Sequence, residues 1–172
     1  IDTWTAASGT GSTNKIWADG FPVITSWNDP IQYSCQKNFI LGIGDVNTHR
    51  DRNVPGSTIT SGDEPAVPAE VTADSTVNAT TANNMIGQME GLANLGTFSS
   101  GRNNSYYMAG LAYDAHTKDI RSDLADSQTI STYWLDVLEG QTYLSKNQFW
   151  LAAKYGGFTV PSGFDPDATT NG

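Results

Sequence analysis

The stretch Asn38-Phe-Ile-Leu-Gly-Ile-Gly44 is a short continuous apolar run that ends at Asp45. A run of this length with a polar boundary is typical of a strand in a parallel sheet, where both faces are buried. Gly42 and Gly44 weaken an isolated strand, but they let neighbouring groups approach the backbone closely. We therefore predict a fully buried strand over residues 38–44.

A second strand is predicted over residues 128–138, which are dense in β-branched and aromatic residues. Between the two strands, a helix is predicted over residues 105–121, with Asn104 or Ser105 as its cap. Apolar residues recur there at helical spacing, and basic residues lie near the negative end of the helix dipole. These residues are Met108, Leu111, Ala112 and Ala115 on the apolar face, and Lys118 and Arg121 at the end.

Two further helices are predicted from the spacing of apolar residues. One covers residues 81–95, and the other covers residues 145–155, where Ser145 and Gln148 fit a capping box. The predicted buried residues are Met85, Met89, Leu92 and Ala93 in the first helix and Phe149, Ala152 and Ala153 in the second.

Two strands joined through helices make a right-handed parallel βαβ unit, so the sequence predicts an α/β fold. Two strands cannot form a complete sheet, and the missing strands must come from outside these residues or from another chain. Residues 46–80 are polar and contain several prolines, which predicts a long loop insertion. Since the chain opens at Ile1 without Met and stops in a polar tail, we expect a fragment or processed product of a longer protein.

The chain is strongly acidic, with a formal net charge of −9 and a pI near 4.3. Such a surface repels nucleic-acid phosphates and anionic lipid headgroups, which argues against partners of either kind. It favours cations, and Ca²⁺ or Mg²⁺ fits a chain rich in carboxylates. No run of 18 apolar residues occurs, so no membrane span is predicted, and no signal peptide is recognisable.

Cys35 is the only cysteine, so it cannot form a disulfide within these residues. Two interpretations stay open. One is a buried free thiol, and the other is a disulfide to a cysteine outside the fragment or in another chain. No histidine follows at a spacing that would indicate a Cys-His nucleophile pair.

Three stretches together resemble one family of bacterial surface proteins. They are Cys35-Gln-Lys-Asn-Phe-Ile-Leu-Gly-Ile-Gly-Asp45, then Tyr107-Met-Ala-Gly-Leu-Ala-Tyr-Asp-Ala-His-Thr-Lys-Asp-Ile-Arg-Ser-Asp-Leu124, and then Gln128-Thr-Ile-Ser-Thr-Tyr-Trp-Leu-Asp-Val137 with Asn147-Gln-Phe-Trp-Leu-Ala-Ala-Lys-Tyr-Gly-Gly-Phe158. Outside the variable insertion 46–100, the chain resembles the PilY/PilC family of type IV pilus tip-associated adhesin and biogenesis proteins.

The resemblance implies an incomplete von Willebrand factor A-like, Rossmann-like parallel-sheet segment. Residues 31–160 would be the later half of that domain, preceded by an irregular connecting segment over 1–30 and followed by a linker over 161–172. The implied role is surface attachment, pilus biogenesis and twitching motility, by binding and not by catalysis, outside the cell at the bacterial surface or pilus tip. The implied partners are pilin or minor pilins, a host or abiotic surface receptor, and the remainder of its own longer chain.

Asp45 is the residue to which the resemblance gives a metal-binding role. In von Willebrand factor A-like domains, an aspartate that ends the corresponding strand helps to hold Mg²⁺ or Ca²⁺ at an adhesion site. The Asp-x-Ser-x-Ser motif that supplies other ligands of that site is absent from this chain. Asp45 therefore has two interpretations, a metal ligand and a capping residue at the junction of strand and loop.

Other carboxylates give further hypotheses. Asp165 and Asp167 are spaced like the start of a calcium loop, and a flexible linker is the competing interpretation. Two groups could be the metal cluster of an extracellular hydrolase, although neither has a recognised zinc spacing. They are Asp45, His49 and Asp51, and Asp114, His116 and Asp119, the second of which also fits a solvated helix face.

Three functions follow from these observations. The first is the adhesion and assembly role that the resemblance implies. The second is a metal-dependent extracellular hydrolase. The third is a purely structural component of an extracellular filament, in which the long insertion makes the contacts between subunits.

Overall fold

The computed structural model describes residues 28–44, 51–58, 66–92, 95, 104–137 and 147–158. The backbone divides into two compact units, residues 1–32 and residues 33–172. The domain limits predicted at residues 30 and 160 stay predictions. The second unit contains, in chain order, β1 (Asn38–Gly44), α1 (Ala69–Ala73), α2 (Ala79–Met89), α3 (Tyr107–Thr117), β2 (Ile130–Asp136) and α4 (Gln148–Gly157).

The strands β1 and β2 form a parallel sheet, as the sequence predicts. Asn38 pairs with Ile130 at one end and Gly44 pairs with Asp136 at the other. The backbone N–H of Val137 extends the pairing by donating to the carbonyl of Gly44 at 2.8 Å. The structure is therefore mixed α/β with a small parallel sheet, and it is compatible with part of a Rossmann-like fold.

Trp134 organises the side of the sheet that the helices cover. Its indole lies over Gly42 so closely that a Cβ atom at that position would overlap the ring. The indole also stacks on Phe149 of α4, with ring centroids 4.4 Å apart and planes 9° apart. Gly42, which lowers the intrinsic stability of a strand, is therefore the residue that lets this aromatic pair reach the sheet.

The opposite side of the sheet is exposed, so the prediction of a fully buried strand is wrong. Phe39, Leu41 and Ile43 are 63%, 70% and 66% exposed. Side chains alternate between the two faces of a strand, and Gly42 and Trp134 belong to the face that contacts α4. A continuous apolar run predicts burial on both faces, but the described helices pack on one face only.

The helix α2 begins and ends earlier than the predicted range 81–95, and its predicted buried face is wrong. Met85, Met89 and Leu92 are 43%, 47% and 44% exposed. The cause is the close approach of α3, because a Cβ atom on Gly110 would lie 2.6 Å from the backbone nitrogen of Asn83. Small or polar side chains therefore dominate the buried residues of α2, which are Ala79, Ala82, Asn83, Ile86 and Gly87.

The three longer helices share a small buried core. Ile86, Tyr106, Ala109 and Leu151 form its centre, and burial raises the pKa of Tyr106 to about 12. Next to this core, Lys154 of α4 makes an ion pair of 2.9 Å with Glu90, which follows α2. The hydroxyl of Tyr155 donates to the same carboxylate oxygen of Glu90, so one acidic side chain ties the two helices together.

The helix α3 is shorter than the predicted range 105–121. Ser105 Oγ accepts a hydrogen bond from the Tyr107 backbone at 3.1 Å, although the N-cap position itself is Tyr106. Arg121 lies beyond the helix end, and its hydrogen bond lowers the pKa of Asp123 to about 2. Of the predicted apolar face, Ala112 is buried, and the half-buried members are Met108, Leu111 and Ala115.

The insertion is not a structureless loop, because it contains α1 and the start of α2 and is anchored on Tyr107 of α3. The Tyr107 hydroxyl accepts hydrogen bonds from Ser57 Oγ and the Thr58 backbone, each at 3.3 Å, and lies 3.2 Å from Thr80 Oγ1. Burial by itself would raise the pKa of Tyr107, but the hydrogen bonds with Ser57, Thr80 and Thr58 outweigh burial and lower it.

We expect Gly42→Ala to lower the free energy of unfolding by about 1–3 kcal/mol, because the added methyl group overlaps the indole of Trp134. Chemical denaturation followed by tryptophan fluorescence measures this loss. Lys37→Ala, an exposed change beside the same strand, is the control and should stay within about 0.5 kcal/mol of the parent. Equal stability of the two variants would contradict the packing of Trp134 on Gly42.

We expect Tyr107→Phe to lower the free energy of unfolding by roughly 1–2 kcal/mol, because Ser57, Thr58 and Thr80 lose their shared buried partner. Proteolysis within residues 51–58 should also become faster than in the parent, since the hydroxyl that anchors the segment is gone. Tyr33→Phe is the matched control, because the Tyr33 side chain is 67% exposed. An unchanged cleavage rate in Tyr107→Phe would rule out this anchoring role.

Candidate functional site

The carboxyl end of the sheet is where polar side chains meet the start of a helix. Asp136 ends β2 directly beside Gly44, the last residue of β1. The Asn147 side-chain amide donates to Asp136 Oδ2 at 2.9 Å. In open α/β sheets, ligands bind at the carboxyl ends of the strands, so this edge is the candidate site.

Asn147 also starts the helix α4. Its side-chain oxygen accepts hydrogen bonds from the backbone N–H groups of Phe149 and Trp150, at 2.9 and 3.0 Å. The predicted capping box is therefore wrong in its first member, because the N-cap is Asn147, and Ser145 lies outside the described residues. One buried amide thus fixes both the helix start and the carboxylate of Asp136, at a helix end whose dipole favours negative charge.

The sequence predicts a ligand at Asp45, directly after β1, and does not single out Asp136. Asp45 follows Gly44 directly in the chain but lies outside the described residues, as do His49, Asp165 and Asp167. Asp136 ends β2 in the structure, but in the sequence the apolar residues Val137 and Leu138 follow it. The pattern therefore predicts a strand that continues to residue 138, and the sequence carries no clear signal for Asp136.

The second proposed metal cluster is dispersed among separate interactions. Asp114 lies 4.0 Å from Lys118, and His116 Nδ1 lies 3.4 Å from Ser131 Oγ. Asp119 Oδ1 accepts hydrogen bonds from the backbones of Arg121 and Gln128, both at 3.1 Å. Within the described ranges, no three His, Cys, Asp or Glu side chains are grouped so that they could hold a metal ion.

A cavity of about 980 Å³ lies between α3, the covered face of the sheet and the insertion. Its lining includes Leu111 and Trp134 among apolar side chains and Asp51 and Lys118 among charged ones. The indole Nε1 of Trp134 is buried, with no hydrogen-bond partner in the part of the chain that the structure describes. Asp51 is the one member of the group with Asp45 and His49 that the structure describes.

Cys35 is a free and exposed cysteine, so the interpretation as a buried thiol is wrong. It lies in the turn before β1, between the exposed residues Ser34 and Lys37. A disulfide to a partner outside the chain stays a prediction.

Among the described helices, we find none with the length and hydropathy that a membrane span requires.

The chain is also similar in sequence to a known bacterial protein. The chain is 49% identical over 179 aligned residues to a protein of Xylella fastidiosa described as "Type IV pilus biogenesis factor PilY1 homolog". The alignment covers 94% of this chain. This segment belongs to the PilY1 family.

The PilY1-family segment spans 15% of the length of that relative. No family model matches the chain. No solved structure matches it either. The assignment to the PilY/PilC family from the three quoted stretches is therefore confirmed by sequence identity over nearly the whole chain, while the von Willebrand factor A-like assignment is not.

We expect Asn147→Ala to lower the free energy of unfolding by about 1–2 kcal/mol, because α4 loses its cap and Asp136 loses its amide donor. Asn147→Ser is the matched control, since its hydroxyl can still cap the helix, and it should keep at least half of that stability. Chemical denaturation of both variants measures the difference. Equal losses in the alanine and serine variants would contradict the capping role.

Proposed function

We propose that this PilY1-family segment acts in type IV pilus biogenesis and surface attachment, as part of a tip-associated adhesin outside the cell. The observation that carries the proposal is the 49% identity to a protein described as a type IV pilus biogenesis factor. We propose from the same similarity that the protein is located at the bacterial surface or the pilus tip. Its partners would be pilin or minor pilins and a host or abiotic surface receptor.

We further propose that the segment works by binding, as the later half of a von Willebrand factor A-like domain. Two features of the fold support this. The parallel strands are joined through helices that pack on one face of the sheet, and the carboxyl end of the sheet carries Asp136, which is hydrogen-bonded to the N-cap residue of α4. That edge is where such folds bind ligands.

A divalent cation is the proposed mediator of attachment, with Asp45 as a ligand. Carboxylate oxygens suit Mg²⁺ and Ca²⁺, and the neighbouring strand end carries a second carboxylate, Asp136. This chain lacks the Asp-x-Ser-x-Ser motif, so the remaining ligands would come from elsewhere in the longer protein. Asp165 and Asp167 are proposed as a separate and weaker calcium site.

A covalent tie to the rest of the protein is proposed at Cys35. Its thiol is exposed, so a cysteine from outside these residues could reach it without opening the core. Twitching motility is a separate part of the proposal. It requires pili, and the complete protein would help to build them.

The test uses the full-length protein expressed in a bacterium from which its own copy has been deleted. Cells that carry Asp45→Ala should lose at least about tenfold of their Mg²⁺- or Ca²⁺-dependent attachment, because a proposed metal ligand is removed. Surface pili, quantified by shearing and immunoblotting, should remain. Asp123→Ala is the control, because Asp123 is an exposed carboxylate that pairs with Arg121 away from the sheet edge.

Two outcomes separate the parts of this proposal. Attachment of Asp45→Ala cells that stays cation-dependent and at the parental level would overturn the role of Asp45. A deletion of residues 33–158 that leaves surface pili, attachment and twitching unchanged would overturn the biogenesis and attachment function itself.

A further inference from the structure

The face of the sheet away from the helices carries a continuous set of large apolar side chains. The covered face contains Gly42, Gly44 and Trp134, which contact or make room for Phe149 of α4. Because side chains alternate along a strand, the residues between them point to the other side. We call that side the open face. By register it includes Ser131, and its six large apolar side chains are those of Phe39, Leu41, Ile43, Tyr133, Leu135 and Val137.

Exposure across the open face is high. The relative exposure of the six side chains ranges from 42% for Tyr133 to 70% for Leu41. Phe39 and Tyr133 contact each other across the two strands, with ring centroids 6.1 Å apart, so the surface is continuous and not a set of isolated residues. It contains no charged side chain, although 16% of the chain is charged.

A surface of this kind needs a cover. Contiguous exposed apolar patches mark interaction sites, and strands of parallel sheets are normally buried on both faces. Side chains as large as leucine, isoleucine and phenylalanine each gain roughly 1.5–3 kcal/mol when they become fully buried. Packing of another element on the open face would therefore be strongly favourable, because it would bury several of these side chains at once.

We propose that an amphipathic helix from the same polypeptide, outside residues 1–172, packs on the open face. The matched PilY1-family relative supports an occupant in the same chain, because the segment spans only 15% of its length. A helix is the element that covers parallel sheets, as α3 and α4 do on the other face. A second copy of this chain is a poorer occupant, because each copy carries a formal charge of −9 and the two would repel each other.

This inference rests on the proposed Rossmann-like, von Willebrand factor A-like fold, in which helices cover both faces of the sheet, and it does not depend on cation-mediated attachment. The open face would be buried whether or not Asp45 binds a cation. Failure of the experiment below would therefore count against the proposed fold and leave the role of Asp45 intact, whereas failure of the attachment test would leave this inference intact.

The experiment measures accessibility in the purified full-length protein. Leu135→Cys and Ile43→Cys place thiols on the open face, and Lys37→Cys places one at an exposed position just before β1. Maleimide labelling is followed site by site by mass spectrometry. The thiols of the open face should react at least about tenfold more slowly than the thiol at position 37, because a covered side chain reacts only after local opening.

Unfolding in urea should make the three thiols react at the same rate, which checks that the slow labelling comes from structure. Each variant must also keep the protease resistance of the parent protein. If Leu135→Cys fails that check, Val137→Cys, which lies just beyond the strand, replaces it. Labelling of the open face as fast as labelling at position 37 would overturn the proposal.

A second measurement identifies the occupant. A photo-reactive benzoyl-phenylalanine at position 133, which resembles the tyrosine that it replaces, is cross-linked in the full-length protein and mapped by mass spectrometry. Cross-links to residues of the same polypeptide outside 1–172, with a yield independent of protein concentration, would support the proposal. Cross-links to Phe39 and Gly157, which lie beside Tyr133 in the sheet and helix layer, are set aside as neighbours. Cross-links confined to other parts of residues 1–172, to a second copy or to another protein would overturn the proposal.

Discussion

The stack of Trp134 between Gly42 and Phe149 is the contact on which the rest of the structure depends. It joins β1, β2 and α4 at one point, and the strands and the helix come from widely separated parts of the chain. The indole occupies the space that a side chain at position 42 would need. Gly42 and Gly44 would weaken an isolated strand. In this fold they leave the space in which Trp134 and Phe149 pack, and so they hold the helix layer on the sheet.

From that contact the structure extends in two directions. Towards the carboxyl end of the sheet, Asn147 links Asp136 to the first turn of α4, so the polar edge is built on the same helix that carries Phe149. Towards the outside of the helix layer, Tyr107 holds the insertion and Glu90 joins α2 to α4. Packing and the candidate binding edge are therefore parts of one framework, and a change in α4 would disturb both.

Sequence reasoning located the strands and the parallel pairing, because dense apolar and β-branched runs are strong local signals. It failed where the decision depended on a neighbour. The spacing predicts Met85 and Met89 inside, but Gly110 of α3 approaches α2 closely at Asn83, and the inner face of α2 instead carries Ile86 and mostly small or polar residues. Ser145 and Gln148 fit a capping pattern, yet Asn147 caps the helix, because an amide can serve the helix and Asp136 together. Asp45 is predicted from its place after an apolar run, while the same argument applied to Asp136 requires the true end of β2, which only the structure gives.

The distance along the chain between the paired strands has a consequence for how the molecule folds. The side-chain amide of Asn38 donates a hydrogen bond to the backbone carbonyl of Thr129, 91 positions away. The sheet can therefore form only after the whole intervening chain has been synthesised. Closing a loop of that length costs roughly 4 kcal/mol of chain entropy before any strand contact compensates for it. During synthesis, the first strand emerges long before its partner and waits with its apolar side chains and backbone groups unpaired. Slow folding and a need for protection from aggregation are therefore built into the order of the chain.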